Sequence, residues 1–144
     1  MENKITPKLE YGSTWKLLGL GIITYAVYIA HYIKKQTAVI NEHCEDNERI
    51  SDTFITFIIV ISYLSLGFFF AYFFVEETHP IAGISDIIEF INSVVFIVWG
   101  FKARNRMNAI LSAEKKGDEW FHGLPTFLFT PLYFNYKVNK LNGK

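Results

Sequence analysis

Long apolar runs separated by short polar segments dominate this chain, and the longest run predicts a transmembrane helix. Residues 54–75 are twenty-two positions without Asp, Glu, Lys or Arg. As an α-helix they would be about 33 Å long, which is enough to cross a bilayer. Ser51 and Asp52 precede the run and are suitable N-cap residues. Five phenylalanines near the end of the run would lie on every side of the helix, which is rare in a soluble core; they are Phe68, Phe69, Phe70, Phe73 and Phe74.

A second apolar run, residues 81–101, predicts a helix that returns across the membrane. The connection between the two runs, residues 76–80, is short and should end the first helix with its two glutamates and Pro80. Trp99, near the end of the second run, is typical of a membrane interface, and Lys102 follows it. The two runs therefore predict an antiparallel transmembrane hairpin.

Two shorter membrane-inserted segments are predicted on either side of this hairpin, at residues 14–33 and 119–138. The uncharged part of the first, residues 17–33, would form a helix of about 26 Å, which is near the lower limit for a crossing. The second contains Pro125 and Pro131, which disfavour one straight helix. Full crossing and re-entry from one leaflet both fit these lengths.

The basic residues are distributed unevenly, and their distribution predicts the orientation. All fourteen Lys and Arg residues lie outside the 76–80 connection. Because Lys and Arg are enriched on the cytoplasmic side of membrane proteins, we expect this connection to face the exterior. Re-entrant outer segments would keep every basic residue on the cytoplasmic side, so we favour re-entry over full crossing. Both termini and the polar loop, residues 34–53, would then be cytoplasmic.

The segment that follows the second crossing, residues 102–118, has the pattern of an amphipathic helix. Ala103, Met107, Ile110 and Leu111 could form one apolar stripe at helical spacing. Basic residues crowd the start of the segment, and each would contribute about 1 kcal/mol at an anionic membrane surface. The pattern therefore predicts an interfacial helix that lies on anionic lipid headgroups.

The composition supports the membrane class and disfavours several others. The chain of 144 residues is 51% hydrophobic and 19% charged, whereas soluble domains have about 25% charged residues. Fourteen acidic residues balance the fourteen basic ones, so we predict no nucleic-acid partner. Cys44 is the only cysteine, which excludes an intrachain disulfide. No nucleotide, phosphate or zinc motif occurs, and we predict no cofactor and no metal site.

Aromatic and charged residues at the ends of the apolar runs are expected to contact lipid headgroups. The two outer segments resemble each other in this respect, since each ends with a threonine, two tyrosines and then lysines. Convergence on interface residues and duplication of an inserted element would both explain this repetition. The expected headgroup contacts are Trp15, Tyr28, His31, Tyr32, Trp99, Lys102, Arg104, Arg106, Trp120, His122, Tyr133 and Tyr136.

Both ends of the chain contain residues that resemble the motifs of a known family. The N-terminal motif comprises Trp15, Leu17, Leu18, Thr24 and Tyr28, and the C-terminal motif comprises Leu124, Thr126, Leu132, Tyr133, Tyr136, Lys137 and Asn139. With these residues the chain resembles a family of small bacterial inner-membrane proteins of unknown function, whose first segment reads Trp, then Leu-rich, then Thr-x-Gly-Ile-Tyr. Ala26 stands where the family has glycine. The resemblance implies a multi-pass protein of the bacterial inner membrane, and it implies no catalytic residue.

Four polar residues interrupt the second predicted crossing, namely Asp86, Glu89, Asn92 and Ser93. Spacings of three and four residues place Glu89, Asn92 and Ser93 on one helix face. A carboxylate near mid-membrane costs about 2.5 kcal/mol or more, so Glu89 should face protein, water or a cation. Three interpretations are open. In the first, the membrane segment begins only near residue 87. In the second, Glu89 bonds to another helix, and in the third, the four polar residues form an ion or proton site.

Taken together, these patterns predict an all-α integral membrane protein with a central transmembrane hairpin. Three classes of function fit this prediction. The leading prediction is a non-enzymatic accessory or scaffold subunit that packs through its Phe-rich hairpin with itself or with a larger membrane complex. The alternative is a homo-oligomeric ion or proton channel or transporter that uses Glu89, Asn92 and Ser93. A membrane enzyme that acts on lipid through His31, His122 and Glu89 is the least favoured.

Overall fold

The chain folds into helices that are joined by short turns. A computed structural model describes residues 5–76 and 79–144, and these contain five α-helices, two short 3₁₀ turns and no strand. The predicted all-α class is therefore confirmed. The 3₁₀ turns are Thr6–Leu9 and Asp46–Glu48. The α-helices are α1 (Thr14–Ile23), α2 (Val27–Asn41), α3 (Asp52–Tyr72), α4 (Pro80–Ile110) and α5 (Gly123–Leu141).

Helices α3 and α4 form the predicted central hairpin, and both are long and apolar enough to cross a membrane. The Ser51 hydroxyl oxygen caps α3 by accepting from the Phe54 N–H at 3.5 Å. Pro80 occupies the first turn of α4, where its missing N–H is not needed, so it starts the second helix instead of only ending the first. Two residues of the predicted 76–80 connection, Glu77 and Thr78, lie outside the described residues.

Helix α4 runs without a break for 31 residues, which corrects the prediction of a separate interfacial helix at 102–118. Ala103, Met107 and Leu111 are buried in the protein core instead of facing lipid headgroups. No glycine or proline lies between residues 101 and 110, so nothing in the chain ends the helix there. These residues form one helix face as predicted, but this face packs against the protein.

The first outer segment is a helical hairpin made of α1 and α2. The Ala26 N–H donates to the Gly21 carbonyl at 2.7 Å and the Tyr25 N–H donates to Ile22 at 3.2 Å, which is the Schellman pattern of a helix end. Tyr25 and Ala26 have φ values of 49° and 69°, so the chain reverses at these two residues. A Cβ atom at Gly21 would lie 2.6 Å from Ile29 Cδ1, so the glycine permits the close approach of α1 and α2.

The second outer segment, α5, also folds back on itself. Its two halves, residues 123–129 and 131–141, are joined at Thr130, whose φ of 33° and ψ of −106° are not helical. The Tyr133 hydroxyl accepts from the His122 N–H at 3.0 Å. In a straight helix these residues would be about 16 Å apart, so the two halves must meet at a sharp angle. Pro131 has no N–H to continue the helical ladder across this point.

The α1–α2 hairpin and the bent helix α5 each have ends that lie away from their turn. These ends meet at one end of the molecule, which we call the polar base. It consists of the two 3₁₀ turns, the 42–51 loop and the C-terminal ends of α4 and α5. The Asn135 amide donates to the Gly12 carbonyl and to Thr14 Oγ1, both at 3.0 Å, which ties α5 to α1. Arg106 Nε donates to the Glu48 carbonyl at 2.8 Å, which ties α4 to the loop. Most of the large buried apolar side chains also lie near this end.

Candidate polar site between the helical hairpins

A seam of small polar side chains lies between α3 and α4 in the half of the hairpin that is remote from the polar base. Ser62, Ser65, Ser85 and Asn92 are all buried. The Ser62 hydroxyl lies 3.0 Å from Asn92 Oδ1 and 2.8 Å from the Ile58 carbonyl, and its proton can serve one of them at a time. The spacing of three residues in α3 and of seven residues, or two turns, in α4 places these side chains on the facing sides. Small polar residues let two helices approach closely.

The Glu89 carboxylate extends this seam toward the tip of the α1–α2 hairpin. The Tyr25 hydroxyl donates a hydrogen bond to Glu89 Oε1. Ser85 Oγ lies 3.5 Å from the same oxygen. The Tyr25 ring stacks on Phe69 of α3, with ring centroids 4.4 Å apart and an angle of 22° between the planes. The left-handed turn at Tyr25 therefore places one tyrosine against both helices of the central hairpin.

Two clefts meet at the Tyr25–Glu89 pair. The first has a volume of about 340 Å³, and its lining includes Gly21, Ser65 and Asn92 as well as the pair. The second has a volume of about 450 Å³, and its lining includes Tyr72, Ser85 and Asp86. Because Tyr25 and Glu89 line both clefts, the hydrogen bond between them stands where the two clefts adjoin. Displacement of the Tyr25 side chain would join them.

The structure brings together three of the four polar residues that the sequence singled out. Glu89, Asn92 and Ser93 line the first cleft, whereas Asp86 is exposed and lines only the second. Ser93 Oγ donates to the Glu89 carbonyl of its own helix at 3.0 Å and not to the carboxylate. Helix α4 begins at Pro80, and Glu89 accepts a hydrogen bond from Tyr25 in the turn between α1 and α2. The position at which the membrane segment begins stays a prediction.

Sequence analysis missed the partners of these residues. Ser62 and Ser65 are spaced three apart in α3, a signal that the Phe-rich composition of the run obscured. Tyr25 gave no signal as a site residue, because nothing in the apolar run identifies the position of the turn. Ser65 Oγ is buried without a hydrogen-bond partner among the described residues, so the seam retains one unused polar group.

Two of the expected headgroup contacts are wrong, since Trp99 and Tyr32 are both 0% exposed. Trp99 Nε1 donates to the Thr37 hydroxyl of α2 at 2.8 Å. Its ring packs edge-on against Phe134 and Tyr32, with centroid distances of 5.4 and 6.4 Å. Trp99 therefore joins α2, α4 and α5 in the core near the polar base. A tryptophan at the end of an apolar run looks the same in sequence whether it faces lipid or a neighbouring helix.

Other expected headgroup contacts lie at or near the surface. Trp15 is 81% exposed. Arg104 Nε donates to the Phe121 carbonyl at 2.8 Å and its guanidinium lies 5.4 Å from the Trp120 ring, so this basic residue is used within the protein. Lipid contact stays a prediction for the rest. His31, His122 and Tyr136 are exposed, and Tyr28, Lys102, Arg106, Trp120 and Tyr133 are half-buried.

The described part of the chain contains no cluster of three His, Cys, Asp or Glu side chains that could hold a metal ion. His43 Nδ1 lies 2.9 Å from the Val39 carbonyl. Its neighbour Cys44 is half-buried, and burial raises the pKa of the thiol above its usual value, with Glu48 raising it further and Arg106 and Arg49 lowering it.

Comparison with known proteins assigns no family, because no family model, curated protein or solved structure matches the chain. The resemblance to small bacterial inner-membrane proteins therefore stays a prediction.

Proposed function

We propose that α3 and α4 span a membrane and that the α1–α2 and α5 hairpins enter it from the polar base. The distribution of buried residues supports this proposal. Small polar side chains lie in the half of the α3–α4 interface that is remote from the polar base, whereas Phe70, Phe73 and Phe90 are exposed. Only 28% of the most apolar window around α3 and 11% of that in α4 is buried, whereas the core helix of a soluble protein is mostly buried. An apolar exterior around a polar interior is stable in lipid.

The charges of the polar base support a proposed orientation. No Lys or Arg lies between residues 52 and 101 of the central hairpin. The basic residues nearest to this stretch therefore lie at its two ends, which both face the polar base. We place the base and both termini in the cytoplasm. Labelling of Cys44 in intact cells with a membrane-impermeant maleimide tests this. We expect reaction only after the cells are opened, and reaction in intact cells would reverse the orientation.

Within this membrane protein we propose a cation or proton site at Glu89. The observation that supports it is the Tyr25–Glu89 hydrogen bond between two clefts. A carboxylate about 13 Å along α4 from Pro80 lies far into the bilayer and costs about 2.5 kcal/mol or more. The C-terminal end of α1 lies at the same cleft through Gly21 and Ile22, and the negative end of its dipole adds to the attraction of a cation.

The Tyr25 side chain would act as the gate of this site. Its hydroxyl donates a hydrogen bond to Glu89 Oε1, and its ring stacks on Phe69. A cation or proton at Glu89 competes with the tyrosine hydroxyl for the same oxygen, so occupancy and displacement of Tyr25 are linked. Both clefts open at the surface of the single chain. A closed path across the membrane would therefore require neighbouring copies, and we propose a homo-oligomer.

Flux into liposomes tests this function. We expect the purified protein to carry protons or monovalent cations, and Glu89→Gln to abolish the flux. Asp86→Asn is the matched control, because Asp86 lies one turn away and lines only the second cleft. Tyr25→Phe removes the donor and should change the rate while leaving some flux. Flux in empty liposomes equal to that of the protein, or equal flux in Glu89→Gln, would refute the proposal.

A second candidate function is the accessory or scaffold subunit, and the exposed Phe-rich end of α3 favours it. Phe73 and Phe74 are 68% and 88% exposed at the end of the hairpin that is remote from the polar base. Aromatic rings of this size supply packing surface for another transmembrane helix. Purification from native membranes should then recover an oligomer or a larger complex, and Phe73→Ala with Phe74→Ala should release the partner. A stable monomer without a co-purifying protein would argue against this candidate.

A further inference from the structure

The hydroxyl of Thr24 lies between the two helices of the first hairpin and forms a hydrogen bond with each of them. It donates to the Leu20 carbonyl of α1 at 2.7 Å and accepts from the Tyr28 N–H of α2 at 2.9 Å. A hydroxyl has one proton to donate and lone pairs that accept, so both bonds can form at the same time. One side-chain oxygen therefore joins the end of α1 to the start of α2.

Helix α2 uses this bond because its own N-cap residue has no polar side chain to offer. The N-cap position is Ala26. The first N–H groups of a helix have no partner within it. Thr24 satisfies two of them, since its carbonyl accepts from the Val27 N–H at 3.1 Å and its hydroxyl accepts from the Tyr28 N–H. Thr24 thus caps the start of α2 from the C-cap position of α1.

Tyr25 directly follows Thr24, in the turn that Thr24 closes. Tyr25 and Ala26 both have left-handed backbone conformations, which non-glycine residues keep only where the surrounding structure holds them. The N–H groups of these two residues donate back to carbonyls of α1, at Ile22 and Gly21. The side chain of Thr24 instead reaches forward to α2. It therefore fixes the angle between the two helices at the turn, and with it the direction of the Tyr25 side chain.

From this arrangement we infer that Thr24 is the positioning residue of the Tyr25–Glu89 pair. Its hydroxyl holds the turn in the conformation in which the Tyr25 ring stacks on Phe69 and the Tyr25 hydroxyl reaches Glu89. Thr24 itself lines neither cleft, so it acts on the site only through Tyr25. The inference rests on the proposed function, because Tyr25 is the proposed gate, but the bond between Tyr25 and Glu89 can be tested without ion flux.

A double-mutant cycle measures whether this pair depends on Thr24. Tyr25→Phe removes the donor of the pair, and Glu89→Met removes the acceptor at similar side-chain length. The unfolding equilibrium constant of each variant is measured with sodium dodecyl sulfate in mixed micelles. In the native chain we expect the two changes to be coupled by about tenfold, the effect of one charge-assisted hydrogen bond. In Thr24→Val, which keeps the shape of the side chain but not the hydroxyl, this factor should fall to about twofold or less.

Two control variants separate positioning of Tyr25 from a general effect on stability. Thr24→Ser keeps the hydroxyl and should keep the full coupling. Thr126→Val makes the same chemical change in α5, where Thr126 Oγ1 donates to the His122 carbonyl at 2.6 Å. It should lower stability as Thr24→Val does but leave the coupling unchanged, because Thr126 lines neither cleft. A merely structural role of Thr24 would likewise leave the coupling unchanged.

Full coupling in Thr24→Val would overturn the inference, and so would loss of coupling in Thr24→Ser or in Thr126→Val. Absence of coupling in the native chain would overturn it as well, because the Tyr25–Glu89 bond would then not be formed. The flux measurement decides the proposed function separately. If flux depends on Glu89, Thr24→Val should change its rate in the same direction as Tyr25→Phe, and a native rate in Thr24→Val would contradict the inference. Equal flux in Glu89→Gln would refute the ion site but leave the positioning of Tyr25 by Thr24 intact.

Discussion

Replacement of Trp99 by phenylalanine should destabilise the protein strongly, because this side chain joins three helices. The indole N–H donates to Thr37 Oγ1 at 2.8 Å, and both side chains are buried. The substitution keeps an aromatic ring between Tyr32 and Phe134 but removes the donor and one of the two fused rings. It therefore tests whether Trp99 belongs to the core or to the lipid interface.

The expected loss follows from two contributions. A buried hydroxyl left without its donor costs about 1–3 kcal/mol. The smaller ring leaves a void that the neighbours fill only in part, which adds about 1 kcal/mol. We therefore expect Trp99→Phe to lower the free energy of unfolding by about 2–4 kcal/mol. In a double-mutant cycle with Thr37→Val the two changes should couple by about 1 kcal/mol or more.

Reversible unfolding by sodium dodecyl sulfate in mixed micelles, followed by helical circular dichroism, measures these free energies. Trp15→Phe is the matched control, since Trp15 is 81% exposed and the same atoms are removed. It should change stability by less than about 0.5 kcal/mol. If Trp99→Phe were as mild as Trp15→Phe, or if the changes at Trp99 and Thr37 were additive, Trp99 would not be part of a packed core.

Two further predictions concern the packing of α4 and the reactivity of the polar base. Gly100→Ala should cost about 1–3 kcal/mol, because its Cβ would lie 2.9 Å from Thr130 Cγ2 and 3.2 Å from Thr126 Cγ2. Gly67→Ala is the control, because a Cβ at Gly67 would have no atom within 4 Å, and this variant should be neutral or stabilising. Equal stabilities of the two variants would contradict the α4–α5 contact at Gly100. Because the pKa of the Cys44 thiol is raised, its alkylation rate should increase with pH to a midpoint above that of a free cysteine. A midpoint at or below the free-cysteine value would show that burial does not control this thiol.

The central hairpin could be predicted from sequence because its signal is local. The run without charge at 54–75 corresponds to α3, and the return run corresponds to the first part of α4. The N-cap at Ser51 was also evident, since a serine followed by an aspartate precedes the apolar run. These features depend only on neighbours in the chain, so a single sequence is sufficient to identify them.

Features that depend on other helices could not be predicted in this way. The stripe of Ala103, Met107 and Leu111 has the same spacing whether it faces lipid headgroups or α5, and only the packing of α4 decides between them. The same holds for Trp99, whose partner Thr37 is 62 residues away in the chain. The polar residues of the second run were identified, but their partners Tyr25 and Ser62 were not, because those contacts join separate elements.

The turn at Tyr25 shows most clearly why the site itself was not evident from sequence. Two consecutive non-glycine residues in the left-handed region cost about 1–2 kcal/mol each, and no glycine or proline identifies this position in the apolar run. The contacts that offset this cost are the Phe69 stacking and the hydrogen bond to Glu89, whose partners lie in the central hairpin. A ligand that takes the Glu89 oxygen from Tyr25 removes part of this compensation and leaves the turn strained. If the proposed site binds a ligand, we therefore expect occupancy of the carboxylate and the position of the α1–α2 tip to be coupled through the backbone of Tyr25 and Ala26.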